Sequence, residues 1–367
     1  MTPATTRLDD LDDPEKLAAA DPTDFLKAVE GLPAQLGEAM RLAHAVDGLP
    51  SIEGLRAIAV LGMGGSGISG ELCRSVLAPL APVPVATIRD YDVPAWVGPY
   101  TLVFAVSYSG GTEETLSAFH QAAERGARIV AVTTGGALAE EAGASGYPVV
   151  TVPGGLMPRA ALGYVGIPPL VVSSRLGLAP GVDVALHEAL EVVGQRAREC
   201  HRSVPAASNP AKQLGARLVG CLPLVWGSEG IAGAAAYRMK CQFNENAKVL
   251  AGWATFPELN HNEVVGLYRS GGDSPPNPAP LGVVVLRHEG ENPRIARRID
   301  VTRSLVSDSV EFVEDVWARG SSPLARLLDL ITTGDHATTY LGIARGADPA
   351  PIVAIDTLKA ALGTYAV

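Results

Sequence analysis

Apolar and polar positions change rhythm along the chain. Up to about residue 50 the rhythm is helical. Asp21 and Asp24 offer N-caps for a segment ending near Gly31, and Leu36, Met40, Leu42, Ala43 and Val46 form an apolar stripe. From Ile58 onward, short apolar runs take over at 58–62, 83–88, 101–107, 128–133 and 149–152, with helical stretches at 71–80 and 113–126 between them. Such alternation predicts βαβ units and a parallel sheet. Residues 154–183 are rich in Gly and Pro and read as a hinge with a helix inside it. The second half repeats the theme. Helices are expected at 183–200, after Asn209-Pro210, at 231–247, at 323–345 with Gly334 as a candidate break, and at 356–362. Strands are expected at 222–227, 281–286 and 310–313, and a surface loop at 270–280. Strand, Gly-containing loop and helix occur at Leu61 and again at Val225, so two copies of one α/β architecture are the simplest account. The expected division is an N-terminal helical segment at 1–50, a first α/β domain at 51–180 and a second at 181–367.

Composition narrows the class. With 367 residues, 47% hydrophobic and 19% charged, the chain has the apolar mass for a sizeable core and lacks the charge-rich signature of disorder. Its 40 Gly and 28 Pro show no collagen-like period. A net charge of −10 argues against a nucleic-acid or anionic-membrane footprint. An anionic small ligand remains open if backbone N–H groups and helix N-termini supply the local potential. Cys73, Cys200, Cys221 and Cys241 are widely spaced and read as reduced thiols of a cytoplasmic protein. Asp9, Asp10, Asp12 and Asp13 are the reverse of a signal peptide, and no apolar run reaches the roughly 18 residues of a membrane span.

Two glycine-rich turns carry the candidate chemistry. Gly62-Met63-Gly64-Gly65-Ser66-Gly67 satisfies G-x-G-x-x-G after a strand, and Asp90 follows the next strand at the spacing of a ribose-binding acid. A dinucleotide-dependent oxidoreductase is therefore one reading. There is no Walker A sequence. At the end of the third strand, Ser107-Tyr108-Ser109-Gly110-Gly111-Thr112 runs into a helix. Ser or Thr at such a turn is commonly a helix cap. Three hydroxyls and two glycines opposite a second Gly/Ser turn suit a phosphate monoester instead.

At these residues, Gly65-Ser66-Gly67 and the Ser107–Thr112 turn, the sequence resembles the sugar isomerase (SIS) domain family. Three further segments follow in order: Pro158-Arg159-Ala160-Ala161-Leu162-Gly163, Phe243-Asn244-Glu245-Asn246-Ala247-Lys248, and Glu258-Leu259-Asn260-His261-Asn262-Glu263. Together they look like the bifunctional phosphoglucose/phosphomannose isomerases, over about residues 50–367. The resemblance implies an α/β fold of two SIS-type subdomains, each a parallel sheet flanked by helices, behind the N-terminal helical segment. It implies aldose–ketose isomerisation of glucose 6-phosphate or mannose 6-phosphate to fructose 6-phosphate through a cis-enediolate. It also implies a homodimer whose active site is shared between subunits. Gly65, Ser66, Ser107, Ser109 and Thr112 would then bind substrate. Gly111 departs from the Asn this family commonly carries.

An aldose–ketose proton shuttle needs a carboxylate and a nearby cation, and no metal or redox cofactor. By itself Glu245 reads as a surface residue of a polar helix tail more readily than as a base; the resemblance implies that it is the base. Arg159 reads as an interdomain ion pair or as the group that holds an enediolate oxygen. His261 lies in a polar loop where exposure is the ordinary state. The resemblance implies acid–base catalysis of ring opening from the partner subunit, with Glu258 and Glu263 near enough to tune it. Lys359 is a helix-surface lysine that the resemblance brings to the sugar ring, making the last helix catalytic. Thr333, close to His336, is a candidate for sugar specificity. His201, His288 and Cys241 lack the spacing of zinc ligands. A non-catalytic sugar-phosphate-binding SIS regulator is the competing class, and it has no need of Glu245 and His261. An isomerase of amino sugars is a closer alternative.

Overall fold

The structure is a computed structural model that describes residues 8–268 and 279–363. The expected loop at 270–280 falls outside them apart from its last two residues. Helices α1 (Pro14–Ala20), α2 (Phe25–Glu30) and α3 (Leu32–Ala45) come first. Asp21 starts α2 as its sequence position suggests, its carboxylate accepting from Phe25 N and Leu26 N at 2.8 Å each. The first sheet follows, with β1 (Ala57–Leu61), α4 (Gly64–Leu77), β2 (Val85–Ile88), β3 (Thr101–Val106), α5 (Glu113–Glu124), β4 (Arg128–Thr133), α6 (Gly136–Ala144) and β5 (Val149–Thr151). All its pairings are parallel, in the order β2-β1-β3-β4-β5. Every residue of β1 and β3 is buried, which is why both read as unbroken apolar runs.

Helices α7 (Leu162–Arg175), α8 (Val182–Cys200) and α9 (Pro210–Arg217) lead to the second sheet. It is built from β6 (Leu222–Ser228), α10 (Ile231–Asn246), β7 (Gly252–Phe256), α11 (Glu263–Leu267), β8 (Leu281–Arg287), α12 (Pro293–Val306) and β9 (Phe312–Trp317). Its parallel order is β7-β6-β8-β9. The chain then runs through α13 (Pro323–Ala344) to α14 (Val353–Leu362). One apolar cluster joins a face of each sheet. Ile58, Phe104 and Val130 belong to it on one side, Val225, Val284 and Leu286 on the other, with α3, α4, α7, α8, α10 and α13 between. Separate clusters lie under α5 and α6 on the first sheet and near α11 and α12 on the second.

Several elements differ from expectation for identifiable reasons. The first helix of the sheet begins at Gly64, inside the Gly/Ser stretch, instead of near residue 71. Its glycines serve contact: a Cβ at Gly70 would collide with the Thr87 side chain, and one at Gly67 would lie 2.8 Å from Gly62 O. Gly334 does not break α13, which is continuous over 22 residues; that glycine faces Met239 of α10. The last strand lies at Phe312–Trp317, further along than 310–313. Glu314 and Asp315 disguise it, and both are paired with arginines at the sheet edge, Arg217 for the first and Arg287 and Arg303 for the second. Strand β7 and helix α12 have no counterpart in the apolar pattern. The arginines of α12 hide a stripe whose buried members are only Ile299, Thr302 and Val306.

Candidate active site

The strand order reverses direction between β1 and β3, and there the N-termini of α4 and α5 open onto one crevice. In doubly wound sheets this is where anionic ligands sit. Ser107 is fully buried, with its Oγ 2.9 Å from Thr112 Oγ1 and accepting from Gly110 N at 3.1 Å. Ser66 Oγ accepts from Tyr108 N at 3.0 Å, so its own hydrogen stays available to an anion. Ser109 is exposed at the tip, where Gly111 N donates to its Oγ at 3.4 Å. Gly110 has φ +70°, and a Cβ there would collide with the Gly135 carbonyl, so glycine is required. Gly111 is the opposite case: a Cβ would meet nothing within 4 Å, and an Asn would fit.

Gly65 couples this crevice to the hinge. A Cβ on it would lie 2.7 Å from Pro158 O and 2.8 Å from Arg159 N. The Arg159 side chain is 2% exposed. Its Nε donates to Asn246 Oδ1 at 2.9 Å, and its Nη2 donates to the carbonyls of Pro349 and Ala350 at 2.6 and 2.7 Å. Nη1 is buried and has no hydrogen-bond partner, and it lies 3.9 Å from Glu245 Oε2. Burial lowers the guanidinium pKa from its ordinary value; Glu245 opposes the shift and Arg238 adds to it. Glu245, the penultimate residue of α10, keeps 25% of its side chain exposed. An N–H without a partner in a dry site is costly, and an oxygen arriving between Arg159 and Glu245 would satisfy it.

Beneath this pair lies a buried polar network of which the sequence motifs single out only Asn246 and Lys248. Arg238 donates through Nε and Nη2 to the two carboxylate oxygens of Asp335, at 3.0 and 2.6 Å, and through Nη2 to the Arg159 carbonyl at 2.8 Å. Gln242 donates to Asp335 at 3.2 Å, and Asn246 Nδ2 donates to Thr338 Oγ1 at 3.2 Å. Lys248 Nζ reaches the carbonyls of Glu245 and Pro349, and burial lowers its pKa with Arg159 adding to the effect. The readable signal is spacing. Arg238, Gln242 and Asn246 recur every four residues on a helix otherwise rich in buried alanine, a polar stripe that must face partners.

Glu245, Arg159, Gly65, Ser66, Ser107, Ser109 and Thr112 are thus gathered around one part of a single chain. None of His261, Lys359 and Thr333 makes a hydrogen bond or ion pair with Glu245 within it. His261 is exposed in a 3-10 turn after β7. Phe256 of β7 pairs with Ser228 of β6, and α10 starts three residues later, so His261 lies at the opposite end of α10 from Glu245. The helical rise puts those ends about 21 Å apart. Glu263 and Glu258 are engaged elsewhere, accepting from Trp226 Nε1 and Asn262 Nδ2 at 3.0 Å each. Lys359 stands on α14, which buries no residue. Thr333 is buried inside α13 and gives its hydroxyl hydrogen to Asp329 O at 3.0 Å. His336 is fully buried and donates from Nδ1 to Thr332 O at 2.8 Å. Asp90 is exposed and accepts from its neighbour Tyr91 N at 2.7 Å. Among the described residues no group of three His, Cys, Asp or Glu is placed to hold a metal ion. No helix there is long and apolar enough to cross a membrane.

Two parallel sheets around a shared helical layer, with a hydroxyl-lined crevice at the first switch point, define a double-SIS protein. The SIS domain family matches residues 52–144, and the bacterial phospho-glucose isomerase C-terminal SIS domain matches residues 207–362. The chain is 40% identical to the bifunctional phosphoglucose/phosphomannose isomerase of Caldicellulosiruptor bescii over 91% of this chain and 98% of that one. It is 36% identical to that of Thermoplasma acidophilum over 82% and 88%. A glucose-6-phosphate isomerase-like protein of Thermus thermophilus shares the fold, with a TM-score of 0.61 at 21% identity, covering 95% of this chain and 98% of that one. The chain belongs to the bifunctional phosphoglucose/phosphomannose isomerase family.

Proposed function

We propose that this protein interconverts glucose 6-phosphate and mannose 6-phosphate with fructose 6-phosphate through a cis-enediolate. Family membership makes it a sugar-phosphate isomerase. The observation that carries the mechanism is the buried Arg159 Nη1, without a hydrogen-bond partner and 3.9 Å from Glu245 Oε2. The phosphate takes the crevice of Ser66, Ser107, Ser109 and Thr112. Glu245 removes the proton from C2 of the open-chain aldose, and the C2–H electron pair forms the C1–C2 double bond of the enediolate. The displaced carbonyl electrons rest on O1, which Arg159 Nη1 stabilises. Glu245 returns the proton to C1, the proton on the 2-hydroxyl moves to O1, and C2 becomes the ketone. Rotation about C2–C3 in the intermediate lets Glu245 serve both epimers. The route calls on no metal or redox cofactor.

Ring opening is assigned to Lys359 and to the partner subunit's His261 in a homodimer. The placing of Glu245 and His261 at opposite ends of α10, a helix rising about 21 Å from its start to Glu245, supports a shared site. Four cysteines without disulfides support work in the cytoplasm. The test is fructose 6-phosphate formation from each aldose, with Glu245→Gln alongside. Turnover of both epimers, falling about 10³-fold in the variant, is expected. Failure to convert either sugar would overturn the proposal.

A further inference from the structure

The active-site arginine is covered by a helix that none of the sequence motifs includes. Asp21 fixes the start of α2, and the first residue of that helix is Phe25, 3% exposed. The Arg159 guanidinium lies over the Phe25 ring, its carbon 4.6 Å from the ring centroid. Around this contact is a small apolar cluster of Phe25, Val29, Ala160 and Ala350, with Met157 packed against it. The cluster joins α2 to both segments that frame Arg159. One is its own turn at 157–160, and the other is the stretch at 349–350 whose carbonyls accept from Nη2.

Helix α3 holds the backbone of the same turn. Gln35 is 3% exposed; its Nε2 donates to Ala160 O at 2.8 Å, and its Oε1 accepts from Gly163 N at 3.2 Å. A Cβ at Gly163 would lie 2.6 Å from Gln35 Cβ, so turn and helix are in direct contact. The N-terminal helices thus grip Arg159 twice, by the backbone through α3 and by the side chain through α2.

A buried guanidinium needs compensation for its lost hydration, and the compensating group decides what the cation can still do. A carboxylate would neutralise the charge and claim N–H groups. An aromatic ring attracts the cation through its quadrupole and has no lone pair to claim an N–H. Arg159 has this second arrangement. Nε and Nη2 are taken by Asn246, Pro349 and Ala350, the ring covers the guanidinium, and Nη1 is left buried without a hydrogen-bond partner. We infer that Phe25 is a positioning residue of the isomerase. Its ring holds the Arg159 guanidinium in place and dry without neutralising it, so that Nη1 meets O1 of the enediolate as an undiminished cation. The inference rests on the role proposed above for Arg159, through which alone Phe25 acts. The charge on O1 develops only as the enediolate forms, so the effect falls on kcat and leaves KM in place.

The experiment replaces Phe25 in the full chain by mono-, di- and trifluorophenylalanine, which weakens the ring quadrupole stepwise at nearly constant shape. Conversion of glucose 6-phosphate should lose kcat at each step, to about a tenth with three fluorines, while KM stays within about twofold. Phe25→Leu, which keeps apolar bulk and removes the ring, should lower kcat about tenfold or more, with the fold read by circular dichroism. The series is repeated in Arg159→Met, which has no cation for the ring to hold, and there it should be flat. A ring that serves packing alone would move Tm and leave kcat unchanged along the fluorine series, and that result would overturn the inference. So would a loss of kcat that persists undiminished in Arg159→Met. Wild-type kcat in Arg159→Met would instead overturn the role of Arg159 itself.

Discussion

At the scale of single residues, the site is organised around a cation that is never fully neutralised by hydrogen bonding. Arg159 spends Nε and Nη2 on Asn246, Pro349 and Ala350 and holds back Nη1. The Arg238–Asp335 pair keeps the Arg159 backbone in place, and removing one member would leave a buried charge at a cost of about 3–5 kcal/mol. His336 makes a separate residue-scale prediction. Burial holds its imidazole below the ordinary value of 6.5; the Thr332 carbonyl, Glu30 and Asp335 oppose the shift and His201 adds to it. The unfolded chain takes up a proton as pH falls through 6.5, whereas the folded chain does so only lower. The stability held by the neutral imidazole is therefore full above that pH and is lost as pH falls below it. Urea melts at about pH 7 and about pH 5.5 should show the loss, and His336→Asn, which keeps a donor for Thr332 O, should remove up to about 1.4 kcal/mol of it per pH unit. An unchanged slope in the variant would place the sensitivity elsewhere.

At the scale of elements, glycine decides how closely helices approach. A Cβ at Gly342 of α13 would lie 2.5 Å from Asn246 O, at the end of α10 that carries Glu245. Gly342→Ala should cost about 1–3 kcal/mol and lower kcat together with stability, because the displaced backbone holds both Asn246 and Glu245. Gly143 in α6 meets nothing within 4 Å, and Gly143→Ala should gain about 0.5–1 kcal/mol with kcat unchanged. Thermal melts with steady-state kinetics separate the two cases, and a harmless Gly342→Ala would show that α10 slides freely. The same contacts explain which elements were legible. Strands β1, β3 and β4 are almost wholly buried, and their sequences state it. The start of α4 was hidden because its glycines follow tertiary contact instead of helix propensity. The short strand β7 and the arginine-laden α12 carry too few buried positions to set a period.

At the scale of the whole molecule, the two sheets were readable and their fusion was not. The apolar cluster runs from Leu11 to Ala344 and includes strands of both sheets. Two domains with separate cores would unfold in steps. A common core predicts one calorimetric transition with equal calorimetric and van't Hoff enthalpies. Two resolved transitions would mean that the halves are energetically separate. The site follows the same division. Glu245, Arg159 and the hydroxyl crevice were legible because their motifs lie on one chain and meet on it. The roles of His261 and Lys359 rest on the family resemblance, which places His261 on the partner subunit.

The contact between Gly65 and Arg159 has a consequence for substrate length. The backbone of Arg159 packs against Gly65 beside the crevice proposed for the phosphate, and its side chain ends beside Glu245. One residue thus spans the interval from anchor to reacting carbon and acts as a ruler. On the proposed assignment a hexose phosphate anchored at the crevice would reach the carboxylate, whereas a triose phosphate, three carbons shorter, would not. Glyceraldehyde 3-phosphate should therefore compete with fructose 6-phosphate without being turned over, and its isomerisation at a hexose-like rate would show that the ruler does not measure.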